Sequence, residues 1–258
     1  MVKRLWLVLL LALVAAPLAS ESGRLAARAQ AVLASGRFSA AYSQYEVALL
    51  ASRKESDLLS ENRILLSMAQ IRIASLDLAL ADSLLGIVRE DVLDEGSKFA
   101  LLQARMSLKN AGANPGEVLA LAKNLEEKQL NQLPKPLSAA IYAEVAMAAA
   151  ATGDTATANR NLELVRKKLS KKDGRYIYSA ARAAHLAKDW TKADSLYQVA
   201  EKLSISENKI YRTATILYYR SEVAAHFGRG DEASDLKLRS ANAFELMGLP
   251  KLKERSEK

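Results

Sequence analysis

Every 35 to 40 residues this sequence brings a small residue back to the same place in the same apolar pattern. Phe38, Ala41, Tyr45 and Ala48 stand at offsets of 0, 3, 7 and 10, the spacing of one helix face. The offsets recur in Leu78, Ala81, Leu85 and Val88, in Pro115, Val118, Ala122 and Leu125, in Thr155, Ala158, Leu162 and Val165, and in Trp190, Ala193, Tyr197 and Ala200. A looser sixth copy centres on Ala233. Twelve residues before each central position stand Ala29, Ala69, Met106, Ala146, Ala181 and Ser221, which the alignment of the quartets did not select. Four alanines and a serine in those six places mark a partner helix in each unit. A small residue on each of two joined helices lets their backbones approach and their side-chain ridges interlock. The chain therefore reads as about six helical hairpins, each burying its apolar face on the next.

Composition agrees. Half of the residues are hydrophobic but only 6% are aromatic, and 46 alanines stand against 11 glycines and 5 prolines, a bias toward helix. No stretch reads as strands joined by hairpin turns, so the expected fold class is all-α. Gly36, Gly153 and Gly228 fall between the paired small residues, where glycine can take the left-handed conformation that ends a first helix. Pro115 suits the first turn of a second helix, while Pro134, Pro136 and Pro250 fall between units or beyond the last. The absence of cysteine rules out a disulfide scaffold, thiolate zinc sites, a cysteine nucleophile and a lipid-carrying N-terminal cysteine.

The run Ala29, Gly36, Phe38, Ala41, Tyr45 and Ala48 resembles the tetratricopeptide repeat. Ala181, Trp190, Ala193, Tyr197 and Ala200 resemble it nearly as well, with Lys188 where the family has its glycine. Residues 62–96 and 139–172 match fairly, residues 97–130 and 208–246 poorly. The spacing exceeds that of the family and the usual closing proline is mostly missing, so longer helices or loops are expected. The resemblance implies a right-handed α-solenoid over 23–248 and the binding of a protein or peptide segment on its concave face, without catalysis.

Groove positions are expected one residue after the core face, about 100° around each first helix. This selects Tyr178, Arg182 and His185 in the fifth unit and Tyr218 and Glu222 in the sixth. Tyrosines flanking an arginine offer large contacts and planar hydrogen bonding. The alternative is that Tyr178 and Tyr218 pack between helices and Arg182 is solvated. The same rule selects Gln30 and Leu33, Leu66 and Gln70, Gln103 and Ser107, and Ala143 and Met147 in the earlier units. The Lys and Asn set with which the family clamps a terminal carboxylate is not reproduced.

Lys3 and Arg4 precede an apolar stretch from Leu5 to Ala19, followed by Ser20, Glu21, Ser22 and Gly23. This reads as an export signal over 1–22, with a periplasmic or extracellular destination. An uncleaved inner-membrane anchor is the alternative, although the stretch is shorter than the roughly 20 residues a spanning helix needs. The segment 249–258 is polar and expected to fray.

Arg166, Lys167, Lys168, Lys171, Lys172 and Arg175 cluster at the junction of the fourth and fifth units. They either complement a helix C-terminus or attract an anionic envelope surface. Nucleic acid is not expected, because no recognition motif accompanies the charge. Glu90, Asp91, Asp94 and Glu95 before Gly96 lack the alternating ligands of a calcium loop and read as a helix-capping linker. His185 and His226 are read as structural or exposed. No phosphate loop or nucleophile elbow is present, and neither an enzymatic activity, a cofactor nor a metal is expected. The expectation is an adaptor of the bacterial envelope. Its alternatives are a surface-docking protein and a helical accessory subunit of a cell-wall enzyme, and self-association through an end unit is possible.

Overall fold

A computed structural model describes residues 20–258, so the signal read over 1–22 lies almost wholly outside the described residues. Its last residues belong to the first helix. Ser20 caps that helix by accepting from the Gly23 N–H, and the buried Ser22 is hydrogen-bonded to Glu55. The described residues are helical, without a strand.

The helices are, in order, α1 (Glu21–Ala34), α2 (Phe38–Lys54), α3 (Leu58–Ala74), α4 (Leu78–Gly86), α5 (Glu95–Ala111), α6 (Pro115–Ala122), α7 (Glu127–Gln132), α8 (Lys135–Ala151), α9 (Thr155–Leu169), α10 (Gly174–Leu186), α11 (Trp190–Ser206), α12 (Ile210–His226), α13 (Gly230–Leu246) and α14 (Pro250–Glu257). They pack in consecutive pairs, α1 with α2, α3 with α4, α5 with α6, α8 with α9, α10 with α11 and α12 with α13. The twelve positions picked from the repeat, ten of them Ala or Ser, sit inside these pairs, none more than 6% exposed. Their burial fits a close helix crossing, which small side chains at both positions permit. None of the described helices is long and apolar enough to cross a membrane.

One turn design joins all six pairs. The middle residue of a three-residue turn is left-handed: Gly36, Leu76, Ala113, Gly153, Lys188 and Gly228, with φ of 81°, 56°, 59°, 83°, 61° and 72°. The next N–H then reaches a carbonyl near the end of the first helix, as Asp154 does to Ala149 and Asp189 to Ala184, both at 2.9 Å. The same aspartates accept from Thr157 N–H at 2.9 Å and Lys192 N–H at 3.2 Å, capping the second helix. Lys188 thus takes the glycine conformation without being glycine.

Three expectations need correction. Val88 and Leu125 were placed on second helices, but α4 stops at Gly86 and α6 at Ala122. After α4 the chain turns through a short 3-10 segment, Glu90–Val92, and the Asn62 side chain accepts from the Arg89 N–H at 2.6 Å, satisfying the freed backbone. The acidic group behaves as a linker: Asp94 caps α5 by accepting from Ser97 N–H at 3.0 Å. Burial pushes its carboxyl up, but hydrogen bonds from Arg63 and Ser97 outweigh that and bring it down to about 2. Finally, 249–258 is not a frayed tail. It forms α14 against α13, burying Leu252 and Ser256, because Pro250 starts a helix whose apolar residue faces the core.

The two ends of the chain meet. Phe38 lies 5.0 Å from the Tyr211 ring, and the Tyr211 hydroxyl donates to the Ala74 carbonyl at 2.9 Å. Ser39 donates to the Gly248 carbonyl at 3.3 Å, and Lys251 pairs with Asp77 at 2.8 Å. One hydrophobic core runs from Ala29 and Leu33 through α8 to Phe244, Met247 and Leu249. The last pair and α14 therefore touch the first two pairs, and the helices surround a half-open space.

Candidate functional site

That space is a cavity of about 750 Å³. Its walls come mainly from the first helices of all six pairs, α1, α3, α5, α8, α10 and α12, joined by Phe38 of α2 and Val165 and Leu169 of α9, with the α1–α2 turn and the start of α12 at the seam. The lining is mainly apolar, with Ile73, Ala139, Ala143, Met147 and Tyr178 among it. This size and character match those of ordinary ligand pockets.

Two polar groups interrupt the wall. On α8 Glu144 is 9% exposed and makes no ion pair among the described residues. It accepts from Asn110 Nδ2 at 2.7 Å, from Gln103 Nε2 at 3.2 Å and from the Ser107 hydroxyl. Burial raises its pKa, against the opposing pull of these three neutral donors. The second group gathers at the starts of α10 and α12. Arg175 pairs with Asp173 at 2.6 Å and Arg212 with Glu207 at 2.7 Å. Each guanidinium keeps one buried nitrogen, Nη1, without a hydrogen-bond partner among the described residues. Lys209 stands with them and makes no ion pair among the described residues, and burial followed by the Arg212 charge lowers its pKa. Gly174 makes room: a Cβ there would stand 2.9 Å from Arg212 Nη1 and 3.1 Å from Glu207 Oε1.

The expected groove residues divide. Tyr178 lines the cavity, as do Leu33, Gln70, Gln103, Ser107, Ala143 and Met147 from the earlier units. Arg182, His185, Tyr218 and Glu222 are not on that wall. They join a half-buried network between α10, α11, α12 and α14, centred on Tyr219. The Arg182 guanidinium lies 3.5 Å over the Tyr219 ring and donates to the Tyr197 hydroxyl at 3.4 Å. His185 Nδ1 is 3.2 Å from that hydroxyl, and its Nε2 is 3.8 Å from Glu222. Tyr218 donates to Glu222 at 2.8 Å, and Arg255 of α14 lies 4.4 Å over the Tyr218 ring. Burial, with help from the Arg182 charge, pushes His185 down to about 4, so the ring is neutral at neutral pH. The other histidine is close by, since His226 stacks on Trp190 at 4.2 Å and Trp190 also contacts His185.

The basic cluster divides too. Arg166, Lys167 and Lys168 occupy the last turn of α9, where cations complement the helix dipole. Arg166 pairs with Glu163, and Lys168 donates to Asn131 at 2.8 Å. Lys167, Lys171 and Lys172 are exposed, whereas Arg175 belongs to the cavity wall. Lys209, Arg212 and Glu144 were not singled out from the sequence. The available signal for Glu144 was a lone carboxylate in the apolar α8 run; for Lys209 and Arg212 there was none, since their importance depends on α12 reaching α10.

No family model matches the chain, and no curated protein matches it in sequence.

Proposed function

We propose that the protein is a non-catalytic adaptor of the bacterial cell envelope that holds a segment of a partner protein in its central cavity. The observation that carries this reading is a mainly apolar cavity of about 750 Å³ to which every pair contributes its first helix. A single element supplies too little surface to hold a partner, whereas six parallel contributions create a continuous wall with few polar anchors. In this reading the pairs are tetratricopeptide-like units of a right-handed α-solenoid, wound until its ends touch. Export to the periplasm or beyond, directed by residues 1–22, belongs to the same proposal.

The test is photo-crosslinking in cells from a reactive residue at Met147 on the cavity wall, with the captured proteins identified by mass spectrometry. One dominant partner, lost when Ala143→Trp fills the cavity, is the expected result. Capture that is indifferent to the filling would overturn the reading.

A second reading rests on Lys167, Lys171 and Lys172, which are exposed and make no ion pair among the described residues. They would attract an anionic envelope surface. Retention on anionic vesicles that falls steeply with salt, and is lost when the three become Gln, is what this reading requires.

A further inference from the structure

We infer that Arg175, Lys209 and Arg212 form a binding site for one carboxylate side chain of an otherwise apolar peptide segment. This rests on the segment-holding reading above and gives the segment its chemistry. Both arginines line the cavity, and each has a buried Nη1 with no hydrogen-bond partner among the described residues. Lys209 lines the same part of the wall, so three cationic side chains meet there in an otherwise mainly apolar space and would draw an entering oxyanion.

Charge sets the valence of the guest. Three cations stand against two carboxylates, Asp173 and Glu207, leaving one positive charge. A carboxylate neutralises it, whereas a phosphate dianion would leave an excess of negative charge beside Asp173 and Glu207. The remaining wall sets the flanking chemistry. Ile73, Ala139 and Met147 offer only apolar contact, so the acidic residue must sit among apolar neighbours. Gly174 permits the arrangement, because Arg212 and Glu207 occupy the space where a side chain would begin.

The experiment titrates the protein, isotope-labelled at Ala and Met methyls, with pools of end-blocked heptapeptides made of Ala and Leu around one Glu, one Gln or one Lys. Shifts of the Ala143 and Met147 methyls report binding in the cavity. The Glu pool should bind about tenfold more tightly than the Gln pool, a gain of about 1.4 kcal/mol. Lys209→Gln, whose side chain has no bonded partner to strand, should remove most of that preference while Gln-pool binding persists. Gly174→Ala, which keeps every charge but crowds Arg212, should reduce it too. Glu144→Gln should strengthen Glu-pool binding by removing a like charge from the same cavity. Equal binding of the Glu and Gln pools would overturn the carboxylate site and leave the segment-holding reading intact. A preference for the Lys pool, abolished by Glu144→Gln, would likewise overturn it. Silence of both methyls toward every pool would bring down both readings.

Discussion

His185 is held neutral by its surroundings, and that has a measurable consequence. Its ordinary pKa is 6.5, while burial and Arg182 bring it down to about 4 in the folded chain. Between those values the unfolded chain binds a proton that the folded chain refuses, so stability is present above 6.5 and is lost as pH falls toward 4. From pH 7 to pH 5 the loss from this group alone is about 2 kcal/mol. Urea unfolding at both pH values should show the wild type losing that much more than His185→Gln. Glu144 works in the opposite sense. Its pKa is raised by burial, so the ionised form is a burden on the fold at neutral pH. Glu144→Gln should raise stability at pH 7 by on the order of 1 kcal/mol, an advantage that shrinks as the carboxyl protonates. A drop in the urea midpoint at pH 7 would mean that the three donors stabilise the carboxylate more than burial penalises it.

At the scale of helices and turns, the hairpin register was readable in advance. Ala29 with Ala41 and Ala181 with Ala193 are buried where their spacing put them, because a close helix crossing tolerates little beyond a methyl group. Ala181→Leu should overfill that crossing and cost roughly 1–3 kcal/mol, seen as a lowered Tm. Lys188 is exposed and holds φ at 61°, a conformation that costs an L-residue about 1–2 kcal/mol. Lys188→Gly should therefore stabilise the chain by roughly 0.5–1 kcal/mol once the extra freedom of glycine in the unfolded state is discounted. Gly36, Gly153 and Gly228 were readable as turn residues because glycine is the default there; Leu76 and Ala113 were not, because the turn and its hydrogen bonds, rather than the residue type, hold them in the same conformation. The early ends of α4 and α6 were not legible either. A quartet at helical spacing continues past a helix end whenever the following loop also turns its apolar residue inward, as with the buried Val88.

For the molecule as a whole, closure links segments far apart in sequence. Tyr211 touches Phe38 and Phe244 and donates to Ala74, so Tyr211→Ala removes contacts at both ends of the chain. A loss of about 3–5 kcal/mol is expected, and hydrogen exchange should quicken around residues 36–39 as well as around 209–212. Quickening confined to the second region would show that the seam carries little energy.

Helix and pairing were legible because they depend on neighbours 3, 4 and about 12 residues apart, and spacing over that range is visible in a linear string. Thus the six pairs, the small-residue crossings and the face carrying Gln103, Ser107, Ala143 and Met147 could all be read before any fold was known. The seam, the central cavity, the packing of Arg182 on Tyr219 and the placing of Arg175 and Arg212 on one wall could not. They depend on the accumulated rotation from pair to pair, to which every side-chain contact contributes a few degrees. No local pattern records that sum, and only the assembled fold brings Phe38 to Tyr211 and gathers helices from every pair around one cavity.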